Sequence, residues 1–103
     1  MIIREWRGRS LLSHEGTYPD HFNNKVLPQL KGMPGFIGAY LCRRRRDDLL
    51  EFVVLTQWES LDAIRAFAGP HYERAVVEPA AAAALTEYDP MVQHYEVLTD
   101  ASI

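Results

Sequence analysis

The segment Leu49–Trp58 carries apolar side chains on both of the faces that a β-strand would present. Its even-numbered positions include Phe52, Val54, Thr56 and Trp58, and its odd-numbered positions include Val53 and Leu55. A strand in a sheet that is covered on one side only would alternate apolar with polar residues. The segment therefore predicts a strand whose two faces are both covered.

The remaining apolar pattern predicts the order strand, helix, strand, strand, helical region and strand. The predicted strands are residues 2–9, 36–43, 49–58 and 92–98, and the predicted helices are residues 18–30, 61–68 and 80–85, with a further helical turn over residues 72–77. This order is the β-α-β-β-α-β arrangement of ferredoxin-like α+β folds, in which helices cover one face of an antiparallel sheet. We expect residues 1–103 to form one domain, with residues 99–103 as a frayed tail.

Several residues mark where these elements begin and end. Ser60 is the expected N-cap of the helix over residues 61–68, and Gly69-Pro70 is expected to end it. Pro28 lies late in the first helix and should kink or end that helix. Residues 44–48 are expected to link the second and third strands as a hairpin.

The second face of the third strand needs a covering partner, because the helices occupy only one side of such a sheet. Face-to-face docking of two identical chains would provide that cover. Closed two-fold dimers are the commonest symmetric assemblies of soluble proteins. The sequence therefore predicts a homodimer that pairs through its sheet faces.

Charge and composition argue against several classes of partner. The 103 residues carry a net charge of −3 at pH 7, which does not favour binding to nucleic acid or to an anionic membrane. The run Arg43–Arg46 is followed at once by Asp47 and Asp48, so we expect a solvated hairpin tip or ion pairs at a dimer rim. No apolar run approaches the roughly 20 residues of a membrane-spanning helix, and no signal peptide is evident, so a cytoplasmic location is expected. Cys42, the only cysteine, is expected to be a buried thiol.

Three stretches of the sequence resemble the antibiotic biosynthesis monooxygenase domain. They are Met-Pro-Gly-Phe-Ile-Gly at residues 33–38, Thr-Gln-Trp-Glu-Ser-Leu-Asp-Ala-Ile at 56–64 and Val-Gln-His-Tyr-Glu-Val at 92–97. The resemblance implies a dimeric α+β barrel, which agrees with the two-sided third strand. It also implies relatives that include cofactor-free oxygenases of polycyclic phenols, haem-degrading proteins and small-molecule signal-processing enzymes.

His94 and Trp58 are the expected catalytic residues. His94 shares a strand face with Glu96, which could be its partner. A histidine titrates near neutral pH and could deprotonate a phenol or enol, so that the resulting anion passes an electron to O₂. A hydrogen bond across a subunit interface is the alternative for His94. The resemblance implies that Trp58 lines the substrate cavity, and a core tryptophan at the strand–helix corner is the alternative.

Five further residues are expected to contact a substrate. They are Tyr72, His71, Tyr18, Phe22 and Phe67. His71 and Tyr72 follow the Gly69-Pro70 break, on a loop expected to lie over the cavity mouth. Tyr18 and Phe22 face inward from the first helix, where core packing is the alternative interpretation.

No metal or cofactor is expected. The four histidines are dispersed, and no H-x₃-H or C-x-x-C spacing occurs. His14 and His21 are expected to face solvent. The resemblance implies that haem-degrading relatives carry an asparagine on the first strand, and residues 2–9 contain none.

The sequence thus predicts a cofactor-independent, monooxygenase-like enzyme acting on an aromatic, phenolic or quinol-type substrate. A non-catalytic small-molecule-binding or accessory dimer of the same fold is the alternative. The expected partners are a second copy of the chain and a small hydrophobic or aromatic ligand, with no nucleic acid and no membrane.

Overall fold

The computed structural model describes residues 1–102, which form one antiparallel sheet with helices against one of its sides. The strands are β1 (Ile2–Leu11), β2 (Phe36–Arg46), β3 (Leu49–Trp58), β4 (Glu87–Tyr88) and β5 (Gln93–Glu96). The helices are α1 (Thr17–His21), α2 (Leu27–Lys31), α3 (Leu61–Ala68) and α4 (Pro79–Ala84), with a 3₁₀ turn at Leu12–His14 and a π-helical turn at Phe22–Val26. The predicted α+β class and its order of elements are confirmed.

Strand β3 lies at the centre of the sheet, paired along its length with β2 on one side and β1 on the other. Strands β4 and β5 pair with the other edge of β1. The strand register defines two faces. The helix-side face includes Arg4, Trp6, Phe52, Val54, Thr56, Trp58 and His94, and the open face includes Ile3, Glu5, Arg7, Tyr40, Cys42, Glu51, Val53, Leu55 and Tyr95.

The two faces differ strongly in their exposure. On the helix-side face, Phe52 and Trp58 are fully buried. On the open face, Tyr40 is 60% exposed and Tyr95 is 50% exposed. Cys42 is also exposed there, so the prediction of a buried thiol is wrong for the single chain. The sheet therefore presents aromatic and aliphatic side chains to its surroundings.

One position of β3 on the open face carries a charge. The Glu51 carboxylate is 1% exposed and forms ion pairs with Arg7 at 3.2 Å, Arg9 at 3.6 Å, Arg44 at 2.8 Å and Arg46 at 3.4 Å. We call these five residues the arginine–glutamate cluster. Burial alone would raise the pKa of Glu51, but the surrounding arginines outweigh burial and lower that pKa.

The arginine run belongs to strand β2 rather than to the hairpin link. β2 continues to Arg46, and the turn consists of Asp47 and Asp48 alone. Asp47 has a φ of 55°, in the left-handed region that aspartate adopts more readily than most residues. Ion pairs from Arg44 and Arg46 to Glu51 hold the two strands together up to the turn. The predicted link over residues 44–48 was too long for this reason.

The first helical region runs from Thr17 to Lys31 and contains the π-helical turn Phe22–Val26. Pro28 lies in the first turn of α2, directly after the π-helical turn, so the hydrogen-bond pattern changes from π-helical to α-helical just before the residue that lacks an N–H. The chain stays helical through Pro28 to Lys31, so the helix does not end at the proline. A π-helical turn is wider than an α-helical one, so it changes which side chains point at the sheet.

Helix α3 begins and ends where the sequence predicts. The Ser60 hydroxyl accepts a hydrogen bond from the N–H of Ala63 at 3.2 Å, and Gly69 follows the helix with a φ of 87°. The further helical turn predicted over residues 72–77 is wrong. Backbone groups there form hydrogen bonds with a distant segment of the same chain: the Ala75 N–H donates to the Pro90 carbonyl at 2.9 Å. These long-range hydrogen bonds replace those of a helical turn.

The last predicted strand, residues 92–98, is present as the shorter β5 (Gln93–Glu96), and an additional short strand, β4, precedes it. Tyr88 of β4 pairs with Gly8. Gln93 of β5 pairs with Glu5. From the first pair to the second there are five residue steps between Tyr88 and Gln93, but only three between Gly8 and Glu5. The two extra residues form a bulge around residues 89–92 that separates β4 from β5.

The end of the chain has no regular secondary structure over residues 99–102, and Ile103 of the predicted frayed tail lies outside the described residues. None of the helices within residues 1–102 has both the length and the apolar character required to cross a lipid bilayer.

Candidate functional site

A cavity lies between the helix-side face of the sheet and the first helical region, and it extends to α3 and α4. Its volume is about 80 Å³. The side chains with polar groups that line it include Arg4, Tyr18, His21, Gln29, Thr56 and Glu78. Pockets that hold drug-sized molecules measure about 300–1,000 Å³. The cavity therefore suits a small ligand, and a larger one would have to displace the helical region outward.

Arg4 is the charged group on the floor of this cavity. It is 6% exposed, and burial lowers its pKa to about 10. Its guanidinium donates to the backbone carbonyls of Tyr72 and of Arg74, the latter at 3.0 Å, and approaches His94 Nε2 at 3.0 Å. These contacts use three of the five N–H donors that an arginine carries. No carboxylate among residues 1–102 lies within 4.0 Å of it, so its charge has no ionic partner in the described chain.

His94 lies beside Arg4 on the helix-side face. Arginine has only donors, so His94 Nε2 must accept the hydrogen bond from Arg4. Burial lowers the pKa of His94, the positive charge of Arg4 lowers it further, and Glu73 opposes both effects. His94 is consequently neutral at pH 7. Its neighbours are Arg4 and Tyr72 rather than the predicted Glu96, and it does not border the cavity.

Trp58 is fully buried at the end of β3. Its ring stacks on Phe67 and meets the edge of Phe36, each at 5.4 Å between ring centroids. The indole N–H donates to Thr56 Oγ1 at 2.8 Å. Thr56 and Phe67 border the cavity, whereas Trp58 stands behind them.

Three of the predicted substrate-contacting residues do line the cavity. Tyr18, Phe22 and Phe67 contribute to its wall together with Trp6 and Val54. Tyr18 is 3% exposed, and burial raises its pKa, so its hydroxyl stays protonated at neutral pH. The wall is thus aromatic on several sides.

His71 and Tyr72 lie outside the cavity lining. His71 is exposed. Tyr72 packs against His94 at 5.4 Å between ring centroids, and its backbone carbonyl accepts a hydrogen bond from Arg4. Tyr72 therefore contacts the site through Arg4 and His94.

His21 also belongs to this site, so the prediction that it faces solvent is wrong. It is the last residue of α1, and it lines the cavity. Its Nε2 atom is buried and has no hydrogen-bond partner among the described residues. The sequence contained one usable signal, because His21 follows the inward-facing Tyr18 by three positions, which is one helical turn.

Sequence comparison identifies the family of this chain. The sequence profile of the antibiotic biosynthesis monooxygenase family matches residues 13–78, which is more than half of the 103 residues. The chain belongs to this family. No curated protein matches it in sequence.

Several solved structures share the fold. A Bacillus cereus protein assigned to the antibiotic biosynthesis monooxygenases aligns with a TM-score of 0.73 and 17% identity, covering 100% of this chain and 96% of its own. The haem degrader MhuD from Mycobacterium tuberculosis aligns with a TM-score of 0.65 and 22% identity, covering 99% and 100%. SnoaB, a cofactor-independent oxygenase from Streptomyces nogalater, aligns with a TM-score of 0.63 and 19% identity, covering 96% and 95%. At these identities the likeness establishes the fold, and activity must be argued from the site.

Proposed function

We propose that this antibiotic biosynthesis monooxygenase family member is a cofactor-independent, monooxygenase-like enzyme whose substrate is an aromatic, phenolic or quinol-type molecule. Arg4 is the observation that carries the proposal. A buried guanidinium without a carboxylate partner favours an anionic ligand, because charge-assisted hydrogen bonds to oxyanions are about twice as strong as neutral ones. The aromatic wall around it suits the ring of such a ligand.

The chemistry requires the substrate as an anion. The anion passes an electron to O₂, the two radicals combine through a new carbon–oxygen bond, and the hydroperoxide then loses water to leave a carbonyl group. One methylene group and one O₂ thus become one carbonyl and one water. The substrate supplies all the electrons, so the reaction needs no bound cofactor. Arg4 would act by stabilising the anion through hydrogen-bond donors that the fold already holds in place.

The predicted catalytic residues fit this scheme as positioning residues. His94 accepts a hydrogen bond from Arg4 and so fixes the orientation of the guanidinium. Trp58 donates a hydrogen bond to the Thr56 hydroxyl and stacks on the Phe67 ring. Thr56 and Phe67 both border the cavity. The lone pair of His94 Nε2 is already engaged, which argues against its use as the base.

A non-catalytic binding or accessory role is the second candidate. The observation in its favour is that neither His94 nor Trp58 borders the cavity. A chain with this role would bind the same anionic aromatic ligand at Arg4 without consuming O₂.

We also propose that the chain works as a homodimer in the cytoplasm, with the open faces of two sheets packed together. The exposure of Tyr40 and Tyr95 on that face supports the pairing, because monomeric proteins rarely expose large contiguous apolar patches.

Replacing Arg4 by methionine tests the proposed function. Anthrone has three fused rings, so its binding requires the first helical region to move outward from the 80 Å³ cavity. With anthrone as substrate, the wild-type chain is expected to consume O₂ and produce anthraquinone. We expect Arg4→Met to weaken ligand binding or lower turnover about 10- to 100-fold, because a hydrogen bond to a charged group contributes about 1.5–3 kcal/mol. Oxygen uptake and quinone absorbance provide the measurement, with anaerobic samples as blanks.

Two further variants make this result interpretable. Arg43→Met removes an exposed arginine from β2 and should behave as the wild type. Arg4→Lys keeps the positive charge with fewer donors and should retain part of the effect. Wild-type turnover in Arg4→Met would contradict the proposal. Tight binding of the anthrone anion without O₂ uptake would instead favour the non-catalytic candidate.

Replacing His94 by asparagine separates a positioning role from a catalytic one. We expect Kd for the anionic ligand to rise several-fold, because the shorter asparagine side chain does not place its acceptor oxygen where His94 Nε2 meets Arg4, while the pH profile of kcat keeps its shape. Ligand titration would measure Kd, and steady-state kinetics over about pH 5–8 would measure the kcat profile. Loss of the acidic limb of the kcat profile with an unchanged Kd would show instead that His94 is the base, because a base is inactivated by protonation at low pH.

A further inference from the structure

A reaction that starts from a substrate anion needs a group to accept the substrate proton. Six polar side chains line the cavity, and four of them cannot act as the base. Gln29 and Thr56 are not bases, Arg4 is a cation, and burial keeps the Tyr18 hydroxyl protonated. This leaves His21 and Glu78. Imidazole is a stronger base than a carboxylate, so proton transfer from a phenol to histidine is the more favourable of the two.

The environment of His21 supports the same choice. Its Nε2 atom is buried, and no group among residues 1–102 forms a hydrogen bond with it. Leaving a buried polar atom unpaired costs about 1–3 kcal/mol, so such atoms commonly have a functional explanation. A ligand hydroxyl in the cavity would provide the missing partner.

The local backbone explains how His21 reaches this position. It is the last residue of α1, and the π-helical turn Phe22–Val26 begins directly after it. Phe22 and Val26 line the cavity as well. Single π-helical turns inside helices occur frequently at functional sites, because they redirect the side chains that flank them.

We propose that His21 is a catalytic residue that accepts the proton of a phenolic or enolic substrate through Nε2, while Arg4 pairs with the anion that forms. The O–H or C–H bond of the substrate gives its proton to Nε2, its electron pair stays on the substrate, and the imidazole becomes imidazolium. This inference rests on the proposed function, since it assigns the base for the same cavity.

The ionisation of a bound phenol can be observed directly. 4-Nitrophenol is a single-ring probe whose anion absorbs visible light and whose neutral form does not. We expect the wild-type chain to bind it as the anion at pH values where the free probe is largely neutral. In His21→Gln the bound probe should ionise about one pH unit higher, which is about tenfold less anion at a fixed pH.

The outcomes distinguish this inference from the proposed function. His14→Gln changes an exposed histidine and should match the wild type. Equal anion fractions in the wild type and in His21→Gln would overturn the role of His21 alone. Failure of the wild type to bind the probe would overturn both proposals.

A measurement on the unaltered chain covers the case in which His21→Gln does not fold. The ¹⁵N chemical shifts of the His21 ring report whether one or both nitrogens carry a proton. Addition of 4-nitrophenol should protonate both nitrogens of His21. A ring that stays neutral while the bound probe is anionic would rule out His21 as the acceptor.

Discussion

Replacing Glu51 by glutamine is expected to lower the free energy of unfolding by about 2–3 kcal/mol at neutral pH. The carboxylate is 1% exposed, and four arginines lie within 3.6 Å of it. Removal of one partner from a buried ion pair typically costs about 3–5 kcal/mol because the other charges remain unpaired. The exposure of Arg44 and Arg46, at 61% and 59%, reduces that figure here. For a domain of this size the midpoint of thermal unfolding should fall by about 10 °C.

The stability difference should also depend on pH in a defined direction. The pKa of Glu51 is lowered in the folded chain, so its ionised form stabilises the fold at pH values above the ordinary glutamate value of about 4.3. This contribution is lost as the pH falls through the lowered value. The difference in the free energy of unfolding between the wild type and Glu51→Gln should therefore be largest at neutral pH and should decrease in strong acid. Urea denaturation at both pH values measures it.

Glu87→Gln is the matched control for this substitution. Glu87 also pairs with an arginine of the cluster, since its carboxylate lies 2.7 Å from Arg9, but its side chain is 59% exposed. Exposed ion pairs contribute about 0–1 kcal/mol, so this variant should be nearly as stable as the wild type. Equal stabilities of Glu51→Gln and Glu87→Gln would mean that the cluster does not stabilise the sheet.

The framework of the fold could be predicted from local sequence signals. Strand β3 was predicted with its observed limits because strong β-formers make up half of its ten residues, a charged turn precedes it and Ser60 caps the helix that follows. Ser60 and Gly69 bound α3 as predicted, since capping depends on a few neighbouring residues. Each of these signals operates over a few residues, which is the range that a sequence pattern reports well.

The polar groups of the site could not be predicted in the same way. Arg4 lies in a strand with alternating charges, where an arginine normally indicates a solvent-facing position. Its burial depends on the carbonyls of Tyr72 and Arg74, which are about seventy residues away in the chain. The segment over residues 72–77 was itself expected to be helical, and that conformation would have used those carbonyls differently. The placement of Arg4 therefore follows from tertiary structure.

The sequence pattern predicts only part of the odd-numbered face of β3 correctly. Val53 and Leu55 predict a second apolar face, but Glu51 lies on the same face and is charged. The structure shows that this face has two parts, an apolar part around Leu55 and the arginine–glutamate cluster. Only the apolar part lacks cover within the described chain, because the arginines already cover Glu51.

Replacing Leu55 by aspartate is expected to convert the proposed dimer into a monomer. Leu55 lies on the central strand of the open face, opposite Tyr40 of β2 and Glu5 of β1. Its side chain points away from the helices, so the substitution should leave the core intact. In a dimer it would place a charge near the centre of the interface, where an unpaired buried charge is strongly unfavourable.

Sedimentation at micromolar concentration distinguishes the two states. The wild type should give about twice the chain mass of 11.8 kDa, and Leu55→Asp should give the single mass. Ala66→Asp adds the same charge on the exposed surface of α3, on the opposite side of the sheet, and should remain dimeric. Circular dichroism checks that both variants are folded.

The thiol of Cys42 provides an independent readout of the same interface. It is exposed in the single chain and lies on the open face, opposite Val53 in the strand register. Dimerisation through that face should slow its alkylation by iodoacetamide, and Leu55→Asp should restore rapid reaction. A monomeric wild type with freely reactive Cys42 would contradict the dimer and leave the open face as a surface for some other partner. A slow reaction that Leu55→Asp accelerates would identify this face as the site of pairing.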